Sequence, residues 1–249
     1  MTTAAANRPS LFRTSLRFVA LGLLLATITG VALTQRGPEP TSAPLMAHQP
    51  VVFPDGHLLY VQRYEVTISE WSICVAQGAC SLQVRARPGH DPAVTPATGL
   101  SYPDVQEYIA WINKVPGNSY RLPTIEEWTV MAASVLPKTT DPVFTDPSLT
   151  WASTYLTKGT APRALKHQGS FSTSPEGIAD LDGSVWEWTQ DCYSGVSEVV
   201  DLDRCPAFFV GGEHVAAMSY LVRDPARGGC AVGSPPAHLG MRVVTDRPL

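Results

Sequence analysis

Charge is scarce in this chain of 249 residues, of which only 16% are charged, against about 25% in ordinary globular proteins. Acid is missing altogether from the first 36 residues, where Arg8, Arg13, Arg17 and Arg36 stand. From Gly37 onward, 14 basic residues face 22 acidic ones. An acidic body excludes a general nucleic-acid binder, which needs a basic face. With 22 prolines and 19 glycines, the chain falls well short of a low-complexity or collagen-like composition. A hydrophobic content of 44% excludes a disordered chain. There is no CxxC, no HExxH and no histidine pair at i, i+4 spacing, so the usual zinc signatures are absent. No internal repeat is visible.

What is present begins with an export signal. Phe18 to Gln35 carries no charge and follows three arginines. A positive segment before an apolar run marks a secretory signal or a signal anchor. The run sits at the short end of what spans a bilayer as a helix. No clear A-x-A cleavage site is evident, so both readings stay open. A Pro-rich stretch, Arg36 to Pro50, separates the run from the rest and reads as a tether. The expected organisation is residues 1–35 as signal or anchor, 36–50 as linker and 51–249 as the folded domain. The body is expected to work outside the cytoplasmic membrane, tethered to it or secreted.

Cysteine spacing agrees with export. Cys74 and Cys80 lie six apart, Cys192 and Cys205 thirteen apart, and Cys230 is left over. In an oxidising compartment the first four suggest two short-loop disulfides.

Three helix starts are sharp. Thr67 to Glu70 and Thr124 to Glu127 are capping boxes, in which the threonine hydroxyl accepts from the N3 amide and the glutamate reaches back. They predict helices over 68–76 and from 125 to about 135. Ser101 to Asp104 opens another, with Pro103 tolerated in the first turn and Val105, Tyr108, Ile109 and Ile112 as its apolar stripe. Strand signals are short: 58–64, 208–210 and 241–244. Beyond Leu136 the chain reads mostly as turns. The pattern is α+β, without the regular alternation of a doubly wound sheet.

Five blocks occur in order: Tyr64 to Thr67 with Trp71; Pro96 to Asp104 with Ala110 and Trp111; Tyr120 to Trp128; Gly183 to Trp188; and Gly240 to Arg242. Together they resemble the formylglycine-generating enzyme (sulfatase-modifying factor) superfamily, over nearly all of the folded part. The resemblance implies one α+β domain of C-type-lectin-like topology with much irregular chain. Its members include sulfatase-activating oxidases, sulfoxide synthases, a pyoverdine-maturation protein and accessory proteins encoded beside nitrite reductases. Without the family, Arg121 reads as a structural group that pairs with an acid or with backbone carbonyls.

The stretch Asp180 to Glu187 offers three acids in eight residues, and hard cations want six to eight oxygens. The resemblance implies a calcium loop here, with side chains from Asp180 and Glu187 and carbonyls from Leu181, Gly183 and Val185. Gly183 is read as permitting a tight turn. The sulfatase-activating members hold copper(I) through two cysteines just after an RGGSW-like turn. In this chain the turn is Val210 to His214, and the next ten residues hold no cysteine. Ser219 falls at one family cysteine position, and the other falls on or near His214. A two-thiolate copper site therefore cannot form from these residues.

Glu213 and His214 remain as candidate catalytic groups, since a glutamate beside a histidine can act as acid and base. Adjacent residues in extended chain point to opposite faces, so at most one faces a groove. Met218 with His214 would make only a poor copper site. The function expected is an accessory, maturation or binding factor for a periplasmic enzyme or peptide. The alternative is an oxidoreductase of the same superfamily acting on a peptide or sulfatase cysteine.

Overall fold

The computed structural model describes residues 43–136, 164–194, 205–232 and 237–248. The expected export segment, 1–35, lies outside the described residues. Among the described residues no helix is long and apolar enough to cross a membrane.

The elements run β1 (Val51–Val52), β2 (Leu58–Val61), α1 (Ile68–Ala76), α2 (Tyr102–Ile112), α3 (Ile125–Ala132), β3 (Val185–Tyr193), β4 (Ala207–Gly211), β5 (Ala216–Ser219), a 3-10 turn (Pro225–Arg227), β6 (Cys230–Val232), β7 (His238–Gly240) and β8 (Val244–Thr245). Two sheets result, in the orders β1-β2-β8 and β6-β5-β4-β3-β7. Every pairing is antiparallel except β3 with β7, which is parallel in the register Val185 to His238 and Glu187 to Gly240.

Each helix starts where a side chain caps it. Thr67 accepts from Glu70 N–H while Glu70 accepts from Thr67 N–H, and Thr124 with Glu127 does the same. Ser101 donates both its N–H and its hydroxyl to Asp104, with Pro103 in the first turn. α3 stops at Ala132, three residues before the expected end.

One core is built on the indoles of Trp71, Trp111, Trp186 and Trp188, and a second lies under β1, β2 and α3 around Trp128 and Met131. Trp71 stacks flat on Tyr108, with centroids 5.3 Å apart. At about 25 cal/mol per Å² of apolar surface, these indoles carry much of the folding energy.

Three expectations are corrected. The longest strand, β3, takes in the last three residues, 185–187, of the stretch read as a metal loop, and it is an interior strand held between β4 and β7. Its first five residues, the acid Glu187 among them, are all buried. Residues 45–49 of the presumed linker are docked: Met46 bridges to Gln62, Ala47 N–H reaches the Val61 carbonyl, and Gln49 N–H reaches Glu176. Proline content concealed that pairing, and the folded part begins before residue 51. The strand expected over 241–244 is instead split into β7 and β8, with Met241 to Val243 between them.

Candidate functional site

The centre of the molecule is polar. Glu65, Asp180, Glu187 and Arg242 are each 2% exposed or less. Glu187 projects from β3, and Arg242 comes from the segment between β7 and β8. Arg242 Nε lies 3.0 Å from both Glu187 oxygens, and Nη2 lies 2.7 Å from Oε1. The same guanidinium donates to the carbonyls of Gln62, Arg63 and Ala179. Burial works against the charged guanidinium, but Glu187 outweighs it and raises the Arg242 pKa. Trp128 Nε1 donates to Glu187 Oε2 at 2.9 Å.

Glu187 therefore accepts from three N–H groups, Arg242 Nε and Nη2 and Trp128 Nε1, with the Nε hydrogen shared between its two oxygens. Asp180 accepts the N–H groups of Gly169 and Phe171, one on each oxygen. Its φ of +66° lies in the left-handed region, which aspartate tolerates better than most residues. Burial raises its pKa despite those two bonds.

The Glu187 carboxylate does not fit a calcium ion. The cationic position beside Glu187 belongs to Arg242, and an ion there would face a buried guanidinium. In the expected ligand set of Asp180, Leu181, Gly183, Val185 and Glu187, the Glu187 carboxylate is already engaged by Arg242 and the Asp180 carboxylate by two N–H groups. Leu181 is core, and Val185 opens β3. Gly183 does close a turn, its N–H donating to the Asp180 carbonyl. Its glycine is required by space, because an added Cβ would lie 2.7 Å from that carbonyl oxygen.

Glu65 completes the cluster. Burial, the largest cause, pushes its pKa up to about 8, with Glu187 and Asp180 adding to the rise and Arg242 opposing it. Its Oε2 has no hydrogen-bond partner among the described residues. Glu65 stands in the first of the five sequence blocks, where composition gave no sign of its burial.

Arg121 behaves as the sequence predicted. It reaches Glu127 at 2.7 Å on both nitrogens, Asp246 at 2.6 Å and the Leu122 carbonyl at 3.1 Å. The Glu127 hydrogen bond, chiefly, raises its pKa. His57 approaches Asp246 at 2.9 Å, which brings His57, Glu127 and Asp246 close enough to hold a metal. Arg121 already sits between the two carboxylates as their cation.

The turn between β4 and β5 holds Glu213 and His214. Glu213 is exposed, while His214 is half-buried, with its ring edge-on to Trp186 at 4.6 Å. Of the two, His214 is the one packed against the sheet. Ser219 ends β5 opposite Ala207, and Met218 is buried opposite Cys230 and Phe208. Cys74–Cys80 and Cys192–Cys205 are disulfides, with Cα separations of 5.3 and 5.8 Å. Cys230 is in neither bridge.

A cavity of about 570 Å³ opens elsewhere, between the extended segment after Cys80, the loop before α2, the 3-10 turn and the start of β7. Its charged and imidazole groups are Arg85, Arg87, His90, Arg223, Asp224 and His238. Glu213 and His214 are not among its walls. The first two arginines are positioned by alternation: Leu82, Val84 and Ala86 pack on the core, while Gln83, Arg85 and Arg87 are exposed. The Cys74–Cys80 bridge and the bond from Trp71 Nε1 to the Leu82 carbonyl anchor the start of this segment. Arg223 grips Asp104, the residue that reaches back to the Ser101 cap of α2, at 2.7 and 2.8 Å. Burial pushes the Asp104 carboxyl up, but the bonds from Arg223 and Ser101 outweigh it and hold it below the usual carboxylate range. The wall was missed in the sequence, although the strict alternation of Leu82 to Arg87 was a usable signal.

Residues 29–247 match the sulfatase-modifying factor enzyme 1-like domain. The chain belongs to that family. Among solved structures it resembles PvdO from Pseudomonas aeruginosa, with 19% identity, 76% of this chain and 80% of that one covered, and a TM-score of 0.50. It also resembles CarF, at 18% identity, 77% and 87% coverage and a TM-score of 0.46. No curated protein matches the chain. At these identities the likeness concerns fold alone.

Proposed function

We propose that this chain is an extracytoplasmic accessory or maturation factor of the sulfatase-modifying fold, which binds a protein or peptide partner instead of oxidising a cysteine. Residues 18–35 would hold it at the membrane, and the two disulfides suit that compartment. The observation that carries the reading is the use of the cysteines. Four of the five are locked in disulfides, leaving Cys230 as the sole cysteine outside a bridge. A copper(I) site of two thiolates needs a pair. At the family positions a serine hydroxyl, Ser219, replaces a soft thiolate with a hard, protonated group. The binding site assigned to this role is the cavity walled by Arg85, Arg87 and Arg223.

The test uses the full chain in detergent with copper, oxygen and a sulfatase-type cysteine peptide. Mass spectrometry should find the peptide unchanged. Conversion of its thiol to an aldehyde would overturn the accessory reading. A phosphatase fused after Leu249 should be active, and an inactive fusion beside an active cytoplasmic reporter would overturn the export reading.

A further inference from the structure

We infer that the cavity beside α2 binds an acidic peptide segment, with its carboxylates received by Arg85 and Arg87. The inference rests on the accessory-factor reading and names the chemistry of the partner.

The sign of the cavity runs against that of the molecule. The body beyond Gly37 is acidic overall, yet three of its 14 basic residues converge on one cavity. Among the described residues one acid, Asp224, lines the same wall, and Arg227 pairs with it at 3.1 Å. Arg223 is held by Asp104 through Nε and Nη2, which fixes its guanidinium in place at the rim. The Arg85 side chain has one long bond to Gln83, at 3.4 Å, and Arg87 is engaged only through its backbone carbonyl, which accepts from His90 N–H, its side chain having no partner among the described residues. These two are the groups available to a ligand.

Their placement is built rather than incidental. Residues i and i+2 of an extended segment share a face, and the inward turn of Leu82, Val84 and Ala86 forces both guanidinium groups outward together. Arginine presents a planar fork that matches a carboxylate in bidentate fashion. Carboxylates on alternate residues of an extended peptide would meet this pair at matching spacing. His90 and His238 also line the wall, and His90 Nδ1 is buried with no hydrogen-bond partner among the described residues. A cavity of about 570 Å³ suits a few residues of peptide. A concave basic wall in an acidic molecule concentrates the field on its mouth, so an acidic segment is drawn to this place and repelled elsewhere.

The probe is a fluorescein-labelled seven-residue peptide alternating glycine and glutamate, titrated into the full chain in detergent. Its counterpart carries glutamine in place of glutamate. The acidic peptide should bind at least about tenfold more tightly, and should weaken as salt screens the charges. The double variant Arg85→Glu/Arg87→Glu should lose at least about tenfold in affinity. Both side chains are exposed, so its melting temperature should match that of the parent. A control, Lys114→Glu/Arg247→Glu, makes the same charge change at exposed sites outside the cavity and should stay within about twofold of the parent. Equal binding of the two peptides, undiminished binding in the double variant, or equal loss in the control would each overturn the inference. The accessory reading fails by a different result, the aldehyde product in the cysteine-peptide assay, which these variants do not influence.

Discussion

Arg242 lays its guanidinium along the carboxylate of Glu187, with contacts of 2.7 to 3.0 Å and essentially no solvent access to either side chain. The pair ties β3 to the segment after β7, and through the remaining guanidinium donors to the carbonyls of residues 62, 63 and 179. Removing one member of a buried pair leaves an uncompensated charge and costs about 3–5 kcal/mol. Arg242→Ala should therefore lower the unfolding free energy by roughly that amount in urea titrations, because Glu187 would keep only the Trp128 donor. A loss below about 1 kcal/mol would show that the pair is solvated in the protein.

The same pair governs the response to calcium. A ligand that binds only the folded state raises its melting temperature by mass action. With the cation position taken by Arg242, millimolar calcium should leave the melting temperature where chelator leaves it. A calcium-dependent rise that vanishes in Glu187→Ala would show that the ion displaces the arginine.

Glu65 sets a pH dependence of its own. Its ordinary value of 4.5 is pushed up to about 8 in the folded state, chiefly by burial. Between those values the folded state binds the extra proton, so stability falls as pH rises from about 4.5 to 8. One pKa unit corresponds to about 1.4 kcal/mol, which puts the total on the order of a few kcal/mol. Asp104 and Glu127 are held low, chiefly by their arginine partners acting against burial, and contribute with the opposite sign, being lost as pH falls. Glu65→Gln keeps the shape of the protonated acid and should flatten the decline on the alkaline side. An unchanged decline in that variant would assign it to another group.

Reduction of the two disulfides should destabilise the protein. Their loops span sequence separations of 6 and 13 residues, and closing loops of that length is worth about 2–3 kcal/mol each on the chain-entropy model. Cys74→Ala/Cys80→Ala should also loosen the segment that presents Arg85, so peptide binding should weaken with stability. Peptide mapping that joins Cys230 to either pair would contradict this pairing.

The helices were legible because their determinants are local: a threonine, a glutamate three residues on, and an apolar stripe decided α1 and α3 within one turn. The family was legible because its short blocks fall in a fixed order. The sheet was less so. β3 is buried over Val185 to Thr189 whether the side chain is apolar or polar, and the acids at 180, 182 and 187 suggested a loop. What distinguishes a metal carboxylate from an ion-paired one is its partner, and Arg242 lies 55 residues away from Glu187 in sequence. Contacts of that range leave no trace in local spacing. The basic cavity was hidden for the same reason, since Arg85 and Arg223 meet only in the fold.

The end of β4 gives the most specific packing prediction. Gly211 and Gly212 lie against two indoles: a Cβ added at Gly211 would sit under 3 Å from three ring atoms of Trp128, and one at Gly212 equally close to Trp186. Trp128 cannot swing aside freely, because its Nε1 is bonded to Glu187. Gly211→Ala should therefore cost at the upper end of the usual 1–3 kcal/mol for overpacking, roughly 3 kcal/mol. Gly78→Ala is the matched comparison. Its φ of +70° disfavours a side chain, but nothing lies within 4 Å of the added carbon, so only the backbone cost of roughly 1 kcal/mol applies. Urea unfolding of the two variants should rank them in that order, and Gly211→Ala alone should shift the tryptophan emission as the indole leaves its carboxylate. Equal costs would show that β4 yields at Gly211, and that Trp128 is not fixed by its bond to Glu187.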